Sequence, residues 1–223
     1  MKISRIIIIS FIAFVLISIL VLFIDSKNHK DDRLRKGSEI KTENLSDFSV
    51  LVAEDGSDIH VNQKDTNKIN IEYSEEKPIV KNLYRLSNDT LFVQKGNRVF
   101  IECKGLKSVI TYNNFWFGLE NFQADTLRVE TNGGQNHIGR GNVSYMTKIK
   151  TLMISSSRKA WNEICSSDIS NIGISLKDSA YLKISSHCNS ITGELKSLSN
   201  LSIEVPANEI NIKRQDSSRL QVY

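Results

Sequence analysis

Pairs of apolar residues, one position apart and recurring roughly every ten residues, constrain what this chain can fold into more than any other feature. Leu127 and Val129 in TLRVE, Leu152 and Ile154 in TLMIS, Ile172 and Ile174 in NIGIS, and Leu201 and Ile203 in NLSIE look like one recurring strand. Their first anchors lie 25, 20 and 29 residues apart. Shorter strands fall between them at Ile138, Ile164, Leu182 to Ile184, Ile191, Ile210 to Ile212 and Leu220 to Val222. A side-chain period of two belongs to a strand with one buried face. Sixteen of the 28 serines lie between Ser155 and Ser218, where small polar residues suit tight turns. A repeating frame without hairpin-like connections predicts an all-β solenoid, a β-helix of short stacked strands. A β-sandwich, which also spaces strands by about 8–12 residues, is the alternative.

Ile6 to Ile24 is a run of nineteen residues without charge or proline. As a helix it measures about 28 Å at ~1.5 Å per residue, close to the hydrocarbon thickness of a bilayer. The following DSKNHKDD offers no small-x-small cleavage site, and no cysteine near the run could take a lipid. The run therefore reads as an uncleaved single-pass signal-anchor rather than a signal peptide. Two flanking basic residues, Lys2 and Arg5, precede it, and five follow it (Lys27, Lys30, Arg33, Arg35 and Lys36). That count opposes a cytoplasmic N-terminus, but large domains translocate largely regardless of flanking charge. The expected location is a bacterial membrane, with the domain on the periplasmic or extracellular side. Four segments result: residues 1–5 as a short cytoplasmic tail, 6–24 as the transmembrane helix, 25–47 as a charged flexible tether and 48–223 as the β domain. The tether carries six basic and six acidic side chains and too little apolar surface to fold by itself.

From Phe48 the alternation begins, with Phe48, Val50 and Val52 expected on one buried face. Ile59 and Val61, Ile69 with Ile71 and Tyr73, and Leu91 and Val93 follow in the same pattern. The acidic EDGSD stretch, Glu54 to Asp58, reads as a hairpin turn on Asp55-Gly56 rather than a calcium loop, because no glutamate follows at the required spacing. Asn88-Asp89 reads as a second turn. Cys103 shares a strand face with Val99 and Ile101 and is expected in the core. Cys165 and Cys188 could pair if neighbouring strands bring them together.

The stretch FSVLVAEDGSDIHVNQKDTNKINIEYSEE, followed by NDTLFVQKG, resembles the opening of the head-GIN domains, adhesin-like domains common in Bacteroidetes. Phe48, Gly56, Val61, Gln63, Asp65, Ile69, Ile71, Thr90, Leu91 and Val93 carry the likeness, which would extend over most of Phe48 to Tyr223. The chain departs from the family in its later turns, where NGGQNHI, SSDIS and KDSAYLKI stand in place of Gly-Ser-Gly. The resemblance implies a solenoid with an adhesin-like role and transfers no catalytic residue.

The residues carry few marks of chemistry. From Phe48 to Tyr223 there are 21 Lys and Arg against 19 Asp and Glu, so the domain lacks the basic footprint of a nucleic-acid binder. His29, His60, His137 and His187 have no mutual ligand spacing and no accompanying Cys-x-x-Cys; His60 is expected to face outward and His137 to lie in a turn. The run from Gly133 to Gly141 lacks the Lys-Ser/Thr ending of a phosphate loop and reads as a solenoid turn. No nucleophile elbow, serine-lysine pair or zinc-protease motif occurs, so no catalytic, metal or cofactor residue is assigned. Tyr112, Phe115, Trp116, Phe117 and Phe122 crowd into TYNNFWFGLENF, in a chain with 17 aromatics. They read as a cap over an open solenoid end or as an exposed contact patch. The sequence thus points to a membrane-anchored envelope protein that presents a non-catalytic surface for binding or adhesion. Its partners would be the bilayer through residues 6–24 and an envelope protein or carbohydrate. A polysaccharide-active enzyme on a β-helix and an envelope sensor are the alternatives.

Overall fold

The computed structural model describes residues 38–139 and 146–223. The expected anchor, 6–24, and most of the expected tether lie outside them. Among the described residues no helix is long and apolar enough to cross a membrane.

The described chain is all β, and residues Ile40–Tyr223 form one compact unit. Its first strands are β1 (Glu39–Asn44), β2 (Val50–Ala53), β3 (Asp58–Gln63), β4 (Lys68–Tyr73), β5 (Tyr84–Ser87), β6 (Thr90–Val93) and β7 (Arg98–Cys103). Then come β8 (Ser108–Tyr112), β9 (Trp116–Glu120), β10 (Gln123–Asn132), β11 (Gln135–Ile138), β12 (Thr147–Ser157) and β13 (Trp161–Cys165). The last are β14 (Ser167–Leu176), β15 (Tyr181–Ser185), β16 (Cys188–Leu195), β17 (Asn200–Ile203), β18 (Ala207–Arg214) and β19 (Arg219–Val222). They form two large sheets, ordered β1-β4-β7-β3-β9-β11-β13-β15-β17-β19 and β18-β16-β14-β12-β10-β8-β2-β6-β5. From β8 onward the chain alternates between the sheets, and each strand pairs in parallel with the strand two places ahead. Parallel neighbours require a crossover. Here the crossover is the strand in the opposite sheet, so each turn of chain is one coil. An antiparallel sandwich does not have this winding.

Register aligns like with like. Leu127 pairs with Leu152, Leu152 with Ile172, Ile172 with Ile191 and Ile191 with Ile210. Leu201 and Ile203 were expected to continue that row. They lie in β17 of the other sheet, in register with Leu182 and Ile184. The 29-residue interval is therefore one coil plus a half-turn, and Ile191 is the true successor. The stacked apolar rows fill the space between the sheets and make one continuous core.

The first coils are wound out of order. β2 lies between β6 and β8, and β3 between β7 and β9, so the β2–β3 coil is second in the stack. Antiparallel β4 on β7 and β5 on β6 finish that end, with Leu83 only 2% exposed beneath the connecting segment. β5 and β6 are joined by the expected turn at Asn88, whose φ of 53° is left-handed, and this is a true hairpin. Asp55-Gly56 is not, because β2 and β3 belong to different sheets. Gly56 turns a coil corner, its φ of 68° supplying the bend and its N–H donating to the Asn113 carbonyl of the next corner at 3.1 Å.

Two further expectations are corrected, and the pairing left open for two cysteines is decided. β1 falls inside the span assigned to the tether; an edge strand needs backbone partners rather than apolar side chains. Thr42 hydroxyl donates to Asn70 at 2.7 Å, the Tyr84 hydroxyl donates to Glu43, and Leu45 N–H donates to the Asn67 carbonyl at 2.9 Å. In β2 the residues facing the core are Leu51 and Ala53, both 0% exposed, so Val50 and Val52 point outward, although Val52 is itself only 8% exposed and Phe48 is buried as expected. Cys165 and Cys188 stand in different sheets, in β13 and β16, and no disulfide joins them. Cys103 is fully buried, and burial pushes its thiol up to about 12.

Candidate functional site

The outer faces of the two sheets differ in kind. On the first sheet, six rings from successive strands form a ladder. Phe100 lies 5.2 Å from His60, His60 6.4 Å from Trp116, and Trp116 3.9 Å from His137. His137 is 5.0 Å from Trp161, and Trp161 is 6.2 Å from Tyr181. Trp116 aligns with Asp58, one row away from His60, yet its indole reaches the His60–His137 row because Gly118 fills that row without a side chain. A Cβ there would approach Trp116 Nε1 to 3.2 Å. His137, expected in a turn, is a strand residue of β11 and 4% exposed, with Nδ1 at 3.1 Å from Glu163 Oε2. Glu163 lies 4.0 Å from Lys183, which lies 3.0 Å from Glu204. The Lys183 ammonium, joined by the Ser185 hydroxyl, holds the Glu204 carboxyl below the usual carboxylate range. Stacked rings spend their faces on one another. The rings and the paired charges beside them join strands of successive coils, so this face stabilises the stack.

The five aromatics singled out from the sequence belong to the third coil, with coils on both sides. Phe117 and Phe122 are fully buried in the core, Trp116 is in the ladder, and Phe115 sits at the β8–β9 corner, 68% exposed. Tyr112, 42% exposed, ends β8 on the other sheet.

There the outer face carries what sequence reasoning missed. Phe92, Val52 and Ile110 stand side by side on β6, β2 and β8, with Thr90, Val50 and Ser108 as the adjoining row. All of these point away from the core, since Leu91, Leu51 and Val109 point into it at 0% exposure. All of them but Ser108, with Tyr112, Glu54 and Asp55, line an open groove of about 590 Å³. Arg85, opposite Phe92 on β5, closes one side with its guanidinium 3.7 Å from the ring centroid. Glu130 continues the row on the other side, next to Ile110. The site is thus an apolar floor three strands wide, fenced by one cation and by carboxylates. Its signal in the sequence is the unbroken apolar run VLVA and the compact TLFV and SVITY, in which outward positions are apolar where a half-buried strand would place polar residues.

Two other depressions follow the same sheet. One, of about 570 Å³, runs along Arg128, Met153, Gly173 and Thr192; Met153 folds over the bare Gly173, where a Cβ would meet its sulfur at 2.7 Å. Another, of about 530 Å³, gathers Asp125 and Asp168 with Lys148 and Lys150. There Lys148 and Asp168 are register neighbours, so lysines are interleaved with the acids. Among the described residues no cluster of His, Cys, Asp and Glu is arranged to hold a metal.

No family model and no curated protein matches the chain. Solved structures do. A structure described as a putative adhesin from Bacteroides fragilis aligns with 85% of this chain and 98% of its own, at a TM-score of 0.52 and 10% identity. One described as a putative lipid binding protein from Parabacteroides distasonis aligns with 83% of this chain and 94% of its own, also at 0.52 and 10%. At that identity the shared property is the fold.

Proposed function

We propose that this chain is a membrane-tethered cell-envelope protein whose β-solenoid presents a non-catalytic surface for binding or adhesion, with the apolar groove across β6, β2 and β8 as the contact. The observation that carries this reading is the outward row Phe92, Val52 and Ile110. Apolar side chains outside a core, here Phe92 and Ile110 partly exposed with Val52 only 8% exposed between them, tend to mark a contact site. Here it is held on three hydrogen-bonded strands, so its shape is formed before any partner arrives, which limits the entropy lost on binding. The resemblance of Phe48 to Val93 to head-GIN domains, and the fold shared with structures described as a putative adhesin and a putative lipid binding protein, support the same reading. The run Ile6 to Ile24 supports tethering, with the domain on the outer side of the membrane. An envelope polymer or envelope protein is the partner class.

Beads carrying the chain should be retained by intact bacterial cells and by purified envelope polysaccharide or envelope membrane vesicles. Ile110→Asp and Phe92→Asp, each placing a charge in the apolar floor, should reduce retention by about tenfold, the effect of removing one central contact residue. Their thermal midpoints should stay near that of the unsubstituted chain, since both side chains lie outside the core. Unchanged retention in both variants would exclude the groove as the contact. Protease protection of an epitope on the β domain in intact cells but not in spheroplasts would place the domain in the periplasm, while cleavage in intact cells would place it outside.

A further inference from the structure

The two ends of the coil stack are finished differently. At the β6–β7 end, β4 and β5 run antiparallel to their neighbours, β1 covers β4, and the segment between β4 and β5 closes over the core, with the Asn97 side-chain amide donating to the Glu72 carbonyl at 3.0 Å. At the other end, among the described residues, β18 and β19 are the last strands of their sheets and are paired along one edge each. Their inward residues are poorly covered. Ile210, Ile212 and Leu220 are half-buried and Val222 is 54% exposed, whereas Ile191, Leu201 and Ile203, one coil inward, are at most 1% exposed. An edge strand with apolar inward residues is a template for another strand.

The sequence of that edge is complementary to itself. In β18, Glu209, Asn211 and Lys213 point outward, in register with Ser190, Thr192 and Glu194, while Ile210 and Ile212 point inward with Ile191. Reversing the strand about Asn211 sets Glu209 opposite Lys213 and Ile210 opposite Ile212. Reversing β19 about Gln221 sets Leu220 opposite Val222, both of which point inward with Leu201 and Ile203. Because β18 leads through one corner into β19, Ile212 and Leu220 lie on the corner side and Ile210 and Val222 on the far side. A single two-fold axis passing through Asn211 and Gln221 therefore satisfies both strands at once.

We infer that two copies of this chain associate end to end through β18 and β19, antiparallel to β18 and β19 of the second copy, joining both sheets across the junction. The occupant is a second copy because the register that covers the four incompletely buried apolar residues also brings Glu209 to Lys213 twice, once on each side of the axis. Such an isologous contact closes at two copies. It does not propagate into a fibre, since the far end of each copy is finished by β1, β4 and β5.

Asn211→Cys in the full chain tests this by oxidation with copper phenanthroline and non-reducing electrophoresis. Two Asn211 positions facing across an antiparallel pair lie about 4.5–5.5 Å apart at Cα, within disulfide reach, so a covalent dimer is expected. Thr192→Cys, one coil inward on the same row, should give none, because three strand spacings of about 4.8 Å separate its two copies. Glu209→Lys and Lys213→Glu, each introduced into the Asn211→Cys chain, should each lower the dimer yield, and combining both swaps should restore it. Asn211, Glu209 and Lys213 are all exposed, so folding is not at stake. The inference fails if Asn211→Cys yields no more dimer than Thr192→Cys, or if the single charge swaps leave the yield unchanged. It also fails if the combined swap stays as low as the single ones.

Discussion

The aromatic ladder makes a prediction whose sign depends on its geometry. Trp116 is held between His60 at 6.4 Å and His137 at 3.9 Å, over a glycine whose Cβ would sit 3.2 Å from the indole nitrogen and 3.7 Å from His60 Nδ1. Each aromatic pair contributes about 0.5–1.5 kcal/mol beyond its buried area. Trp116→Ala removes two such pairs and leaves a gap, and it should cost about 3 kcal/mol, the lower end for buried Trp truncation because the indole edge is partly exposed. Gly118→Ala in the unsubstituted chain displaces the indole from both imidazoles. It should forfeit about 2 kcal/mol of stacking, offset by about 0.5–1 kcal/mol from the reduced freedom of the unfolded chain, for a net loss near 1 kcal/mol. In the Trp116→Ala background the obstructing ring is gone. The same Gly118→Ala then keeps its entropic gain and adds a methyl to the vacated surface, and it should stabilise by about 1 kcal/mol. A double-mutant cycle from urea unfolding midpoints at constant m-value should therefore return a coupling of about 2 kcal/mol. Equal destabilisation by Gly118→Ala in both backgrounds would refute the claim that Gly118 is bare to admit the indole.

Two further outcomes follow from burial and backbone geometry. Burial, and then the Glu43 carboxylate, push the Tyr84 hydroxyl up to about 12, above its unfolded value of about 10. The stability it supplies is complete below the unfolded value and drains as pH rises through the folded one; Tyr84→Phe should flatten that limb of the unfolding midpoint against pH, and an unaltered slope would refute it. A Cβ on Gly193, within β16, would meet the Ile174 carbonyl oxygen at 1.9 Å, while Leu198, in a turn, already sits at a φ of 63°. Gly193→Ala should cost about 3 kcal/mol or more, as rigid backbone overlap does, whereas Leu198→Gly should be neutral or stabilising by about 0.5 kcal/mol after its entropic cost; thermal midpoints that reverse this order would overturn the assignment.

How far the fold is legible depends on whether one face of a strand is polar. β15 reads correctly because Lys183 separates Leu182 from Ile184, and the pleat then assigns faces without ambiguity. β2 does not, since VLVA is apolar on both sides and period two fits either register equally. The reading from Phe48 chose Val50 and Val52, whereas the core takes Leu51 and Ala53. The repeat was likewise visible while its phase was not. A coil contains two apolar pairs of the same kind, one per sheet, so Leu201 and Ile191 are equally good continuations of Ile172 until pairing is known. β1 was invisible for the opposite reason, because EIKTEN joins a sheet through its backbone, and backbone hydrogen bonds leave no periodic mark on side-chain identity.

The site was hidden by the same ambiguity, and this links it to the fold. The aromatic cluster of the sequence lies at residues 112–122, yet parallel coils bring together residues from different turns, and the proposed contact row is Phe92, Val52 and Ile110, spread over 59 residues of chain. None of the three is conspicuous where it stands. Each belongs to a short strand that is apolar on both faces, and in a two-sheet stack such a strand must leave one apolar face outside. β2 is the strand least decidable by period two, while β6 and β8 keep a readable inner pair, Leu91 with Val93 and Val109 with Thr111, and are apolar outside only at Phe92 and Ile110. In β10 and β12 the outer positions are Arg128, Glu130, Met153 and Ser155, a mixed polar row, and the alternation there is easy to read. Apolar residues at the outward positions Val52, Phe92 and Ile110 are therefore the sequence signature of the groove.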